Sequence, residues 1–123
     1  MKHAPGFLRL VEDARTRVRE MSIAALRDRL AHDPPVHLLD VREHEEWLRG
    51  HLPGARHLCK GIIERDIEDM VPDTGAEIVL YCGGGFRSAL AADALQTMGY
   101  RRVASMAGGW RAWTEAGFPV EVG

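Results

Sequence analysis

Residues 78–90 read IVLYCGGGFRSAL, and the order of residue types along this stretch decides the fold. The run IVLYC at 78–82 does not alternate between polar and apolar residues, which suits a strand covered on both faces. Gly83, Gly84 and Gly85 follow, then Phe86, Arg87 and Ser88, then a segment with helical spacing. Strand, tight loop and helix in direct succession belong to layered α/β domains, where ligands bind beyond the carboxyl ends of the strands. Cys82 stands at such an end.

Working outward, VHLLDV at 36–41 is a second apolar run and RRVASM at 101–106 a weaker third. Helical stretches are expected between them at 43–49, 62–70 and 88–98. The last is expected to bury Leu90, Ala94, Leu95 and Met98 along one stripe and to end at Gly99, where a C-terminal cap belongs. Towards the N-terminus, Phe7, Val11, Ala14 and Val18 are spaced four, three and four apart, which predicts an amphipathic first helix. Its apolar stripe has two uses, folding back over the domain or binding another chain. Ser22 caps a second helix carrying Ile23, Leu26 and Leu30, and Asp33-Pro34-Pro35 ends it. Trp110 and Trp113 mark a final helix and read as core aromatics. The expected organisation is an N-terminal helical extension over residues 1–20 and one α/β domain over 21–123.

The bulk numbers exclude several classes. The 123 residues suffice for one domain with a core, and 46% hydrophobic with 28% charged residues is an ordinary globular balance. With a formal net charge of −2 and no basic stripe, nothing points to nucleic acid. No apolar run is long enough to cross a bilayer, and charges interrupt the N-terminal segment every few residues, unlike a signal peptide. The expectation is a cytoplasmic protein with neither nucleic-acid nor membrane partners. Cys59 and Cys82 are too few for a disulfide scaffold and match no metal-site spacing.

The glycine loop carries the chemistry. Consecutive glycines can curl so that successive N–H groups face inward and form a nest for negative charge. The helix that follows adds its unpaired N–H groups and the positive end of its dipole. Such surroundings bring a cysteine from about 8.5 into the range of roughly 3.5–7.5, converting a minor thiolate population into a major one. The bland reading of the same residues is a strand-to-helix turn with a buried, inert cysteine.

Three segments resemble the rhodanese family of sulfurtransferases. LLDVREHEEWLRGHLPGARHL at 38–58 is similar to the family's first signature, YCGGGFRS at 81–88 to its active-site loop, and MAGGWRAWTEAGFPV at 106–120 to its C-terminal signature. The resemblance runs from about Ser22 to the end. It implies a doubly wound, five-stranded parallel sheet with helices on both faces. It also implies a sulfurtransferase of thiosulfate type with catalytic Cys82 and a loop formed by Gly83, Gly84, Gly85, Phe86, Arg87 and Ser88, working without a metal or organic cofactor. Cys82 would carry a sulfane sulfur as a persulfide, from a small anionic donor such as thiosulfate to cyanide or a thiol, a protein thiol included. Asp40 and Arg42 would be supporting residues near the loop, and Arg87 would shape the loop and attract the donor.

Two other readings stand beside this one: a relay or binding module that delivers persulfide sulfur to a partner protein, and, more remotely, a phosphatase or arsenate reductase. Cysteine phosphatases need an arginine six positions after the cysteine. Ser88 occupies that position, and Arg87 lies one residue short. His51 reads as a hydrogen-bonded turn residue, because His44 and His57 complete no ligand motif with it. Cys59 reads as half-buried packing, with sulfur relay as the alternative. Lys60 and Arg65 bound a segment expected to form a wall of the site.

Overall fold

The computed structural model describes residues 2–122. In chain order the elements are α1 (Pro5–Arg15), β1 (Arg19–Met21), α2 (Ile23–Leu30), β2 (His37–Asp40), α3 (His44–Arg49), β3 (Arg56–His57), a 3-10 turn (Lys60–Ile62), α4 (Ile63–Met70), β4 (Glu77–Tyr81), α5 (Phe86–Thr97), β5 (Arg102–Met106) and α6 (Gly109–Glu115). The five strands form one parallel sheet in the order β1-β5-β4-β2-β3. The doubly wound sheet implied by the resemblance is therefore present. The apolar runs alone announced β2, β4 and β5. They missed β1 and β3, which have three and two residues at the sheet edges and are too short to show a period.

Successive strand residues point to opposite faces, and this divides the core in two. Leu39, Ile78, Leu80, Cys82 and Val103 face Ile63 and Ile67 of α4 and Ala91, Ala92 and Leu95 of α5. Leu38, Val79, Tyr81, Ala104 and Met106 face Leu26 of α2 and Trp113 of α6. Trp110 packs half-buried against this second cluster. The period of β4 thus sends the thiol to the α5 side.

The local signals hold where they are short-ranged. Ser22 Oγ accepts a hydrogen bond from the Ala25 amide at 3.0 Å and starts α2. Gly99 follows the end of α5 with φ +104°, and the Tyr100 amide bonds back to Leu95 O at 3.1 Å. The α5 stripe needs correction. Leu95 is buried, but Leu90, Ala94 and Met98 are only half-buried, and the inner residues are Ser88, Ala89, Ala91 and Ala92. The helix is covered by the sheet on one side and by α1 on another, so its large residues do not mark a single inner face. The α1 stripe folds back over the domain, with Val11 and Ala14 buried and Arg17 forked onto Asp93 of α5 at 3.0 and 2.8 Å.

Candidate active site

The site is built from main chain. β4 ends at Tyr81, whose hydroxyl accepts from the Leu52 amide at 3.0 Å, with burial pushing its phenol well above the ordinary value. The next two carbonyls are held from below by the start of α6: Trp110 N donates to Cys82 O at 2.8 Å and Arg111 N to Gly83 O at 3.0 Å. In a trans peptide the N–H points opposite the carbonyl. The amides of Gly83 and Gly84 therefore face away from α6, and neither donates a hydrogen bond among the described residues. The same is true of the amides of Phe86 and Arg87 in the first turn of α5.

Cys82 lies at the floor of this cup, 1% exposed. Its sulfur accepts from Gly85 N at 3.2 Å and Ser88 N at 3.3 Å, and its thiol donates to Ser88 Oγ at 3.5 Å. Ser88 Oγ lies 2.7 Å from Ser105 Oγ, a fully buried hydroxyl on β5. The three glycines act differently from one another. Gly85 alone adopts a left-handed φ, +94°. A Cβ on Gly84 would meet only ordinary contact with the Phe86 ring at 3.6 Å, and one on Gly83 would press Arg87 Nη2 at 3.0 Å. What Gly83 and Gly84 supply is a lip without side chains. The tightest requirement falls on Gly109, at φ +58°, where a Cβ would stand 2.5 Å from Cys82 O and 2.8 Å from Gly83 O.

Arg87 does not stand free over the cup. It forks onto Glu46 of α3, Nη1 to Oε1 at 2.8 Å and Nη2 to Oε2 at 3.1 Å. That bond raises the Arg87 pKa, with a smaller contribution from the Cys82 charge, and holds the Glu46 carboxyl below its ordinary value. Glu46 Oε1 also accepts from Glu43 N at 3.1 Å at the start of α3.

Asp40 and Arg42 form a buried pair beneath the same end of the sheet, Nη2 to Oδ2 at 2.7 Å, with 0% and 3% exposure. Arg42 also donates to Gly50 O at 2.6 Å and lies over the Trp110 ring at 4.6 Å. The pair thereby ties the β2–α3 turn to the helix that grips Cys82 O. Its contacts are with the framework, not with the cup. His51 stacks on Trp47 at 3.5 Å, with Nδ1 3.3 Å from Trp47 O. Cys59 is half-buried and its thiol donates to Glu43 Oε2 at 3.5 Å.

A cleft of about 850 Å³ opens above Cys82. The expected wall at Lys60–Arg65 is not part of it. Arg65 pairs with Asp66, and Ile62 borders a separate surface hollow with Arg56 and Met70. The cleft is walled instead by His3 and Phe7 at one end of the chain and by Arg111 and Glu115 of α6 near the other. Sequence reasoning missed Glu46, Ser105, Gly109 and these wall residues. Two of them left a signal: Ser105 as a hydroxyl inside an apolar strand run, and Gly109 as the second glycine of the C-terminal signature at 106–120.

Residues 22–116 match the model of the rhodanese-like domain. The chain belongs to the rhodanese family. It is 34% identical over 103 residues to a sulfurtransferase of Allochromatium vinosum, covering 84% of this chain and 94% of that one. It is 32% identical over 97 residues to the Bacillus subtilis protein named "Putative sulfur carrier protein YrkF", and the match spans 79% of this chain but only 51% of that relative. Among solved structures, a Rhodopseudomonas palustris protein described as of unknown function and a possible tyrosine phosphatase superposes with a TM-score of 0.84 at 30% identity, over 98% of each chain. Family and relatives together support sulfur transfer as the general activity. Among the described residues no helix is long and apolar enough to cross a membrane.

Proposed function

We propose that the protein is a thiosulfate-type sulfurtransferase in which Cys82 carries the sulfur as a persulfide. The observation that carries this reading is the convergence of the Gly85 and Ser88 amides on the Cys82 sulfur, with four further amides around the cup that have no partner among the described residues. Fixed backbone donors stabilise a charged sulfur without reorganising during the reaction. The Cys82 thiolate attacks the outer sulfur of thiosulfate. The S–S bond of the donor breaks and sulfite leaves with the bonding pair. Cyanide or a thiolate then attacks the terminal sulfur of the persulfide, the Cys82 Sγ–S bond breaks, and the pair returns to Sγ. Ser88 Oγ accepts from the thiol and can turn to donate to the thiolate, because Ser105 Oγ can act as donor or acceptor to it.

The test is to mix the protein with thiosulfate, remove the excess, and measure one added sulfur on Cys82 by mass spectrometry. Cyanide is then added and thiocyanate assayed. Loading with turnover is expected, and Cys82→Ser abolishes both. Loading that discharges only to a protein acceptor would establish a relay module, a reading favoured by the sulfur-carrier name of the Bacillus subtilis relative. Failure to load alongside hydrolysis of an aryl phosphate would establish a phosphatase, as the description of the Rhodopseudomonas protein has it. Against that stands the loop itself, with Arg87 five rather than six residues after Cys82 and already paired to Glu46.

A further inference from the structure

The residues that precede the family match build one side of the cleft. His3, Phe7 and Phe86 form a continuous aromatic wall, with ring centroids 4.5 Å apart for His3 and Phe86, 5.2 Å for His3 and Phe7, and 6.2 Å for Phe7 and Phe86. The wall is braced from outside the cleft. The Arg15 guanidinium lies over the Phe86 ring at 4.9 Å and donates to Gly85 O at 3.5 Å. Val11 and Ala14 are buried, and Arg17 holds Asp93, so α1 is fixed on α5. His3 and Phe7 lie outside the segment 22–116 that matches the family. Phe86 lies within that segment, so the wall joins two side chains from outside the family match to one from the active-site loop.

From this wall we infer that the sulfur acceptor is an organic thiol with a flat, apolar ring, lying against His3, Phe7 and Phe86 with its sulfur directed at Cys82. The inference rests on the Cys82 persulfide reading. A space of about 850 Å³ falls in the range of roughly 300–1,000 Å³ that holds organic ligands. Cyanide or thiosulfate fills a small part of it and gains nothing from ring faces, whereas an aromatic body gains both burial and stacking. The wall also narrows the approach to a sulfur that is 1% exposed, which favours a slim molecule over the surface of a protein. The step balances without an oxidant: the thiolate attacks the outer sulfur of the Cys82 persulfide, the Sγ–S bond breaks, Sγ leaves as thiolate, and the acceptor departs as its own persulfide.

The test uses the full chain. Loaded protein is discharged with thiophenol or with cyanide, and the ratio of the two kcat/KM values is compared between wild type, His3→Ala, Phe7→Ala and the milder Phe7→Leu, each checked for a wild-type melting profile. The ratio is expected to fall about tenfold in the alanine variants, through KM for thiophenol. An equal fall for both acceptors, or an unchanged ratio, overturns the proposal, as does discharge confined to protein thiols. Thioanisole, which cannot take sulfur, is titrated into the unloaded protein and followed by NMR. Shifts at His3, Phe7 and Phe86 are expected, and their absence overturns the proposal. Thioanisole binding by a protein that does not load from thiosulfate would leave the ring site standing and remove the sulfurtransferase reading, so the two failures are distinguishable.

Discussion

The two ends of β4 hold a negative or potentially negative group in opposite ways. At the amino end, Glu77 is met by side chains: Arg29 at 2.9 Å, Arg102 at 3.5 Å and Arg19 at 3.8 Å. At the carboxyl end, the Cys82 sulfur is met by the amides of Gly85 and Ser88, while the nearby cation, Arg87, is occupied by Glu46. The difference follows from what each end must do. A permanent charge is satisfied once by long side chains that pivot onto it. On the proposed persulfide reading, a sulfur whose charge changes during transfer is better served by donors that cannot turn away. Their cost is borne in the framework, by Gly109 pressed against the loop and by the buried Asp40–Arg42 pair that steadies the elements around it.

The largest expected effect lies in that framework. Arg42→Ala leaves the Asp40 carboxylate buried without its partner, and breaking such a pair costs about 3–5 kcal/mol. The denaturant midpoint should fall accordingly. A loss below about 1 kcal/mol would show that the carboxyl end does not depend on the pair. Next comes Gly109→Ala, where the new methyl meets backbone at 2.5 Å in a left-handed conformation. Thiosulfate loading should slow more than about tenfold, with about 1–3 kcal/mol of destabilisation. Gly117→Ala is the matched control, at φ +75° with open space around it, and carries the strain without the contact. Equal loading in the two variants would break the comparison, since the cup would then not need the grip of α6.

Smaller effects sharpen it. Glu77→Gln should cost about 1 kcal/mol and leave the loading rate unchanged, because those arginines serve only their own end of the sheet. An altered loading rate would show the two ends to be coupled. The least effect belongs to Glu46→Gln. Arg87 holds the native carboxyl below its ordinary 4.5, so its contribution is present above that pH and is lost as the pH falls through the depressed native value. At about 30% exposure it is worth less than about 1 kcal/mol. The stability gap between wild type and variant, followed by urea titration, should close as the medium is acidified. The same variant frees Arg87 and should lower KM for thiosulfate severalfold. A constant gap across pH would mean that the pair contributes nothing.

Legibility in the sequence followed contact range. β2, β4 and β5 were readable because strands buried on both faces write unbroken apolar runs, whereas β1 and β3 lie at edges and are too short to carry a pattern. Ser22 and Gly99 were readable as helix punctuation because a cap involves neighbours three to five residues away. The α5 stripe misled because the buried face of the helix is made mostly of Ser88 and alanines, with Leu95 its one large buried residue. Glu46 lies forty-one residues from Arg87, and nothing in its own segment marks it as a partner of the loop. The supposed wall at Lys60–Arg65 failed for the complementary reason: sequence order does not say which loops rise beside the cup.

By itself the sequence determined the layered α/β class, the position of the thiol at a strand end and the backbone character of its loop, because these depend on residue type and local spacing. Only the tertiary structure decided that α6 turns the loop carbonyls, that Glu46 occupies Arg87 and that Phe7 of the first helix, with His3 just before it, reaches the rim of the cleft. Those are meetings between residues tens of positions apart, and they are fixed by which faces pack together, a quantity that no local stretch of chain encodes.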